Sequence, residues 1–168
     1  MDTLNLNINL KLAIWLLALC LMIVIMIFIG GVTRLTGSGL SMVEWRPFLG
    51  FLPPLTETEW TRVFELYKSS PEFKQINSWM KISDFKFIFF WEYFHRVWGR
   101  FIGLFVLIPF LYFIVTKKLN KKILFRSSMI LFLVCVQGLI GWWMVKSGLN
   151  EIATVSQYRL SVHLSMAF

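Results

Sequence analysis

The chain has 168 residues, of which 57% are hydrophobic, and its formal net charge is +8. A soluble domain is nearer half apolar and mixes its polar residues along the chain, whereas the apolar residues here form long blocks, which excludes an ordinary soluble protein. The positive charge lies mainly between the blocks, where it has a topological explanation, so we expect no nucleic-acid partner.

The first apolar block predicts a membrane-spanning helix over residues 12–32. Lys11 and Arg34 enclose 22 uncharged residues, and about 20 apolar residues in a helix cross a ~30 Å hydrocarbon core. Backbone groups find no water there, which favours a helix over an open strand. The block is longer than the apolar part of a signal peptide and no small-residue cleavage site follows, so we interpret it as a retained helix.

The next connection, residues 33–85, is predicted to be a structured external loop. Thr56 and Glu59 form a capping box, and Pro71 ends the short helix that follows it. The aromatic residues of this helix share one face: Trp60, Phe64 and Tyr67. We place the helix at the outer membrane interface, as a structural lid or as a lid over a ligand pocket.

The second predicted span, residues 86–115, carries ionisable side chains in its first half. Glu92 and His95 lie three residues apart and share a helix face, and Glu92 can pair with Arg96 one turn further on. Ionisable groups inside a membrane usually face the bundle interior and mark a functional site. Arg96 and Arg100 are candidates to bind acidic groups of a ligand.

Charge in the connections predicts the topology. Residues 116–126 hold five basic residues and no acidic one, whereas residues 33–87 hold seven basic and six acidic residues. Positive charge in a short loop marks the cytoplasmic side. The N-terminus is therefore expected to be cytoplasmic, and the loops 33–87 and 146–158 are expected to be external.

Two further spans are predicted, over residues 124–145 and 159–168. The last covers about half a bilayer at 1.5 Å per residue, so we expect the chain to end inside a truncated helix. Cys20 and Cys135 lie within spans and form no CxxC motif, which argues against thiol redox chemistry. The sequence thus predicts one all-α membrane domain, a four-helix bundle over residues 1–168.

His95 and His163 are the only histidines of the chain, and both are predicted to lie in the outer leaflet. His95 lies about 10 Å, and His163 about 6 Å, along its helix from the outer side. Two histidines at one level on two helices can supply the axial nitrogens of a haem. One alternative is that the histidines are bonded to core carbonyls. The other is a zinc site formed with Glu92, and the large aromatic residues around it make zinc less favoured than haem.

Small residues and one further arginine leave alternatives open. Gly99 and Gly103, like Gly138 and Gly141, are spaced for close helix packing. Arg159 can bind an acidic group of a ligand, or it can extend to the membrane interface.

The chain resembles the haem A synthase family in its mitochondrial and alphaproteobacterial form. The resemblance rests on "GGVTRLTGSGLSMVEWRPFLGFLPP", "DFKFIFFWEYFHRVWGRFIG", "MVKSGL" and "VSQYRLSVHL", and it extends from about Gly30 to His163. The cysteine pair that Bacilli-type members carry in an outer loop is absent, in keeping with that form. Asp84 stands where the family pattern has Glu.

The resemblance implies an eight-helix protein with two similar four-helix halves, of which this chain is the first. It implies that the enzyme oxidises the C8 methyl of haem O to a formyl group, giving haem A for cytochrome c oxidase. His95 and His163 correspond to the histidine pair of this half, as ligands of the haem iron, and Glu92 corresponds to its acidic residue. The other half is expected to hold a haem b that passes electrons.

The implied partners are haem O, the lipid bilayer, a separate C-terminal half and the haem O synthase, in the inner membrane of a bacterium. In the implied mechanism, successive hydroxylations give a gem-diol that loses water, while Glu92 stabilises a developing cation or moves a proton. Two alternatives remain at this point. A haem-binding electron-transfer or carrier protein uses the same histidines without needing Glu92, and a fragment of a split gene needs neither.

Overall fold

The computed structural model of the protein describes residues 3–44, 52–117, 119–149 and 153–168, with backbone alone for residues 3–9. Within these ranges the chain is helical and contains no strand. The helices are α1 (Thr3–Leu35), α2 (Glu57–Lys68), a π-helical turn (Phe73–Asn77), α3 (Ile82–Thr116), α4 (Lys121–Gly148) and α5 (Gln157–Ser165). The motif residues 45–51 lie outside the described ranges.

Three helices are long and apolar enough to cross a membrane: Leu10–Leu35 of α1, Ile82–Thr116 (α3) and Lys121–Gly148 (α4). The chain is therefore a multi-pass membrane protein. The helices pack in chain order, α1 on α3, α3 on α4 and α4 on α5. Among the described residues, no close backbone approach joins α1 or α3 to α5.

Two tryptophans connect α1 to α3. The indole N–H of Trp15 donates 2.9 Å to the carbonyl of Phe105, and that of Trp98 donates 3.0 Å to the carbonyl of Met22. Phe105 lies four residues before Pro109, which has no N–H to bond this carbonyl within the helix. Trp15 therefore supplies the donor that the proline removes, and it does so from the middle of the buried α1–α3 contact.

The start of α3 lies before the predicted boundary because a local cap extends the helix. The backbone N–H of Lys81 donates 2.9 Å to the Asp84 carboxylate. This is one of the two reciprocal hydrogen bonds of a capping box. Asp84, where the resemblance implies Glu, thus provides an acceptor at this position.

The outer loop is a packed structure built on the first turns of α3. One bond of the predicted capping box forms, because the N–H of Glu59 donates 3.2 Å to the Thr56 hydroxyl. The Glu59 carboxylate instead accepts from the N–H of Leu55. The buried cluster beneath α2 consists of Phe64, Tyr67, Phe85, Ile88 and Phe89. The apolar face of α2 thus packs against α3, and the position of this helix at the outer membrane interface stays a prediction. Each fully buried side chain of this kind contributes about 2 kcal/mol.

Candidate functional site

Glu92 is a buried carboxylate on α3, with 3% of its surface exposed. Its Oε2 accepts hydrogen bonds of 2.7 Å from the Ser41 hydroxyl and of 2.7 Å from the Met42 backbone N–H. Its Oε1 accepts from Arg96, in the ion pair that the four-residue spacing predicted. Both carboxylate oxygens are therefore bonded, which reduces the cost of burying the charge.

Arg96 closes this group of bonds. Its Nη2 also donates 3.2 Å to the carbonyl of Met42, the residue whose N–H donates to Glu92. The N–H of Met42 thus donates to the carboxylate of Glu92, and its C=O accepts from the guanidinium of Arg96. The pair is held by main-chain groups from a different part of the chain, and its geometry does not depend on two flexible side chains alone.

Two of the three partners of Glu92, Ser41 and Met42, come from a short stretch, residues 38–42, which we call the α1–loop segment. Gly37 has φ +63°, a conformation that glycine adopts without strain, and it ends α1 by turning the chain back towards α3. Ser38 and Ser41 are 0% and 1% exposed. The segment is thus fully enclosed where it meets Glu92.

The end of α4 encloses the same segment from the other side. A Cβ built on Gly148 would come within 2.7 Å of Leu40 Cδ1, closer than real Cβ atoms approach. Leu40 is 3% exposed and therefore fills the space that this glycine leaves. α3 and α4 together hold the segment over the carboxylate.

His95 lies on α3, about one helical turn after Glu92, and packs against α1. A Cβ on Gly30 would meet its Cε1 at 3.5 Å and its Nε2 at 4.0 Å, which is ordinary van der Waals contact. The ring therefore lies directly over the backbone of α1, at a position with no side chain.

His163 lies on α5 and has the corresponding relation to α4. A Cβ on Gly141 would come within 2.9 Å of its Cε1, so the ring occupies the space of the missing side chain. Gln137 donates 2.9 Å to the main-chain carbonyl of His163 and ties the two helices together. Within the described residues, the buried Nδ1 of His163 has no hydrogen-bond partner.

The two imidazoles lie on helices α3 and α5, whose backbones do not approach each other closely within the described residues. Each ring is backed by a glycine of a neighbouring helix. Within the described residues, no core carbonyl satisfies the buried Nδ1 of His163.

The remaining candidate residues lie at the edges of this region. Arg100 is partly buried on α3, one turn beyond Arg96. Arg159 donates 2.9 Å to the carbonyl of Trp143 and lies over its ring, 4.5 Å from the centroid. Arg159 thus joins the start of α5 to the end of α4. Its binding to a ligand and its extension to the membrane interface both stay predictions.

The zinc alternative has no donor set in the described ranges, where no three His, Cys, Asp or Glu side chains converge on a common point. Cys20 and Cys135 are both free and exposed, as expected from their position within spans. The chemistry available to this region is therefore that of two imidazoles, one carboxylate and two guanidinium groups.

Sequence reasoning missed the groups that hold these side chains in place. Ser41 and Met42 lie about fifty residues from Glu92, and no local spacing relates them. Gly30 carried no signal, and Gly141 was interpreted as a packing residue between helices. That interpretation is correct in kind, but the group packed against Gly141 is the imidazole of His163.

The family model and the curated relatives that match the chain point to the same family. Residues 13–168 match the COX15-CtaA family model, described as cytochrome oxidase assembly protein. The chain is 51% identical over 142 residues to a haem A synthase of Nitrosospira multiformis and 50% identical over 144 residues to one of Flavobacterium psychrophilum. It is 53% identical over 148 residues to a haem A synthase–mitochondrial ferredoxin fusion protein of Schizosaccharomyces pombe.

Each of these matches covers 84% of the chain, but only 40%, 42% and 24% of the relative's own length, in the same order. The chain thus spans less than half of the curated relatives that it matches. No solved structure shows a significant match to it.

Proposed function

The chain belongs to the cytochrome oxidase assembly protein family, and on that premise we propose that it forms the first half of a haem A synthase. The proposed reaction oxidises the C8 methyl of haem O to a formyl group. The observation that supports it is the grouping of two glycine-backed imidazoles with one enclosed carboxylate. The curated relatives named as haem A synthases point to the same activity.

In this proposal His95 and His163 bind the iron of the substrate haem from its two faces. An axial imidazole must keep its ring in one orientation, and contact with a bare helix backbone restricts that orientation. Arg100 binds acidic groups of the macrocycle, because guanidinium groups suit carboxylates. Arg96 is assigned to the same acidic groups, in addition to its bond to Glu92.

Glu92 is the proposed catalytic residue. Oxidising a methyl group beside the ring develops positive charge and releases protons, and a fixed carboxylate in a dry site acts strongly on both. The bonds from Ser41, Met42 and Arg96 keep the carboxylate in one position. Each of two successive hydroxylations removes two electrons from the methyl carbon and requires an oxidant from outside this chain. Loss of water from the resulting gem-diol then gives the formyl group.

The proposed setting is the inner membrane of a bacterium, with a cytoplasmic N-terminus and the outer loop outside. The partners are the bilayer, haem O, a second four-helix half that holds a haem b that passes electrons, and a haem O synthase that supplies the substrate. The two halves together form an eight-helix protein of similar four-helix bundles. In this arrangement α5 provides the outer part of the fourth helix of the first bundle.

The test of this function is Glu92→Gln, coexpressed with the second half and assayed by pigment extraction and chromatography. This change keeps the size of the side chain and some of its hydrogen bonding, but removes its charge and its proton transfer. We expect the variant to bind haem O and to make little or no haem A, with partly oxidised product accumulating. Glu72→Gln, which removes another buried carboxylate in the outer loop, is the control and should make haem A normally.

Normal haem A production by Glu92→Gln would reject the catalytic role. A carrier or electron-transfer protein needs the two histidines and gains nothing from the buried carboxylate, so that result would favour a carrier. Absence of haem A from the unmutated pair of halves would reject the enzyme proposal as a whole.

A further inference from the structure

The three groups that bind Glu92 differ in what they can do. The guanidinium of Arg96 and the backbone N–H of Met42 can only donate hydrogen bonds, whereas the hydroxyl of Ser41 can donate or accept. An ionised carboxylate accepts from all three. A carboxyl that holds a proton must also donate, and among these three only Ser41 can receive that bond.

Ser41 has a second acceptor within reach. Its Oγ lies 2.7 Å from Glu92 Oε2 and 3.4 Å from the main-chain carbonyl of Ile88. A carbonyl oxygen has two lone pairs, so the helical bond of Ile88 leaves one available. The hydroxyl hydrogen can therefore turn from the carboxylate to this carbonyl, which frees Oγ to accept a bond from Glu92.

From this geometry we infer that Ser41 is a positioning residue that keeps Glu92 in place both with and without a proton. When Glu92 takes a proton from the substrate on Oε2, the new O–H donates to Ser41 Oγ, and the Ser41 hydroxyl turns to the carbonyl of Ile88. The Ser41 proton stays on its own oxygen throughout. The inference rests on the proposed function, because it assigns Glu92 a proton to accept.

Burial makes this hydroxyl hard to replace. Ser41 is 1% exposed and Glu92 3%, so water has no ready access to substitute for a lost bond, and an unmade bond in such a place costs about 1–3 kcal/mol. The α1–loop segment also supplies a matched control. Ser38 is 0% exposed, and its hydroxyl lies 2.6 Å from the Thr36 hydroxyl, with no bond to Glu92 among those of the described residues.

The test compares Ser41→Ala with Ser38→Ala, since each removes one buried hydroxyl from the same segment. In the protein coexpressed with its second half, we expect Ser41→Ala to lower kcat for haem O oxidation roughly tenfold or more. The KM and haem binding should stay within about twofold. Ser38→Ala should change none of these by more than about twofold. Ser41→Thr, which restores a hydroxyl, should recover most of the kcat.

Infrared spectroscopy of the purified chain gives a readout that does not depend on turnover. Bands of the Glu92 carboxyl group are identified by their loss in Glu92→Gln, and we expect them to shift in Ser41→Ala and to stay in place in Ser38→Ala. Unshifted bands in Ser41→Ala would overturn the inference, and so would an unchanged kcat. If Ser41→Ala fails to fold, Ser41→Thr provides the test. Its hydroxyl should keep the Glu92 bands in place and recover kcat, so a folded threonine variant with shifted bands and low kcat would overturn the inference.

The two proposals fail in different ways. Normal haem A from Glu92→Gln rejects the catalytic role, whatever the infrared result. Unshifted Glu92 bands in Ser41→Ala reject the role of Ser41, even if Glu92→Gln abolishes haem A formation.

Discussion

The imidazole of His163 occupies the space where a side chain of Gly141 would be, because a Cβ at this glycine would lie 2.9 Å from the ring. The corresponding distance from Gly30 to His95 is 3.5 Å. The two histidines therefore share one kind of support, a helix backbone without a side chain, but the contact at His163 is the tighter of the two.

We predict that Gly141→Ala weakens haem binding by the purified chain. The added methyl group must displace the imidazole of His163, and a displaced imidazole presents its nitrogen in the wrong position. Haem titration followed at the Soret band measures the effect, for which we expect a loss of roughly tenfold or more in affinity, equal to about 1.4 kcal/mol.

Gly138→Ala is the matched control, because a Cβ at Gly138 meets nothing within 4 Å. It lies one turn away on the same helix, and alanine there should leave haem affinity unchanged and make α4 slightly more stable. Equal haem affinity in both alanine variants would contradict the proposed role of Gly141.

We predict that His95→Ala and His163→Ala each weaken or abolish haem binding. Removing one axial nitrogen leaves the iron held from one face only, so the Soret band should shift or disappear. Glu92→Gln, which keeps both imidazoles, should retain the band. An unchanged Soret band in both histidine variants would exclude axial ligation by this pair.

The outer loop should lose stability as the pH rises. Burial raises the pKa of Glu72 from 4.5 to about 7, against the smaller opposite effect of the Tyr67 hydroxyl that donates 3.0 Å to it. Between these two values the folded loop keeps a proton that the unfolded loop has lost. Stability is therefore full below pH 4.5, falls up to about pH 7 and is constant above it, with a total change on the order of 3 kcal/mol.

Proteolysis of the outer loop at pH 5 and pH 8 measures this dependence. Glu72→Gln keeps an acceptor for Tyr67 but cannot titrate, so its loop should be cut at similar rates at both values, whereas the unmutated loop should be cut faster at pH 8. Equal pH dependence in the two proteins would assign the effect to other groups.

The predicted topology can be tested by cysteine labelling in intact cells. A cysteine introduced at Lys121, at the exposed start of α4, should resist a membrane-impermeant thiol reagent because this loop is expected inside. A cysteine at Glu65, whose side chain is 59% exposed on α2, should react readily. The opposite pattern would reverse the orientation.

Local relations could be predicted from the sequence and long-range ones could not. The cap at Thr56 and the pairing of Glu92 with Arg96 depend on spacings of three and four residues, which a helix converts directly into contact. The bonds from Ser41 and Met42 to Glu92 depend on how the chain turns after Gly37 and where α1 meets α3. No periodicity in the sequence encodes that meeting.

The face of α2 shows the same distinction. Its apolar stripe, with Phe64 and Tyr67, was visible in the sequence, but a stripe does not say what will cover it. Lipid and another helix are equally apolar, and only the fold decides that Phe85 and its neighbours cover the stripe.

The hydrogen bond from Trp15 to the carbonyl of Phe105 bears on how the protein is made. Pro109 leaves that carbonyl without a helical donor, and an unpaired carbonyl in hydrocarbon costs several kcal/mol. α1 is synthesised before α3, so the indole that satisfies this carbonyl is already in the membrane when α3 leaves the ribosome. We expect α3 to enter the bilayer alongside α1, as one arm of a hairpin, with the proline discriminating against insertion of the helix alone.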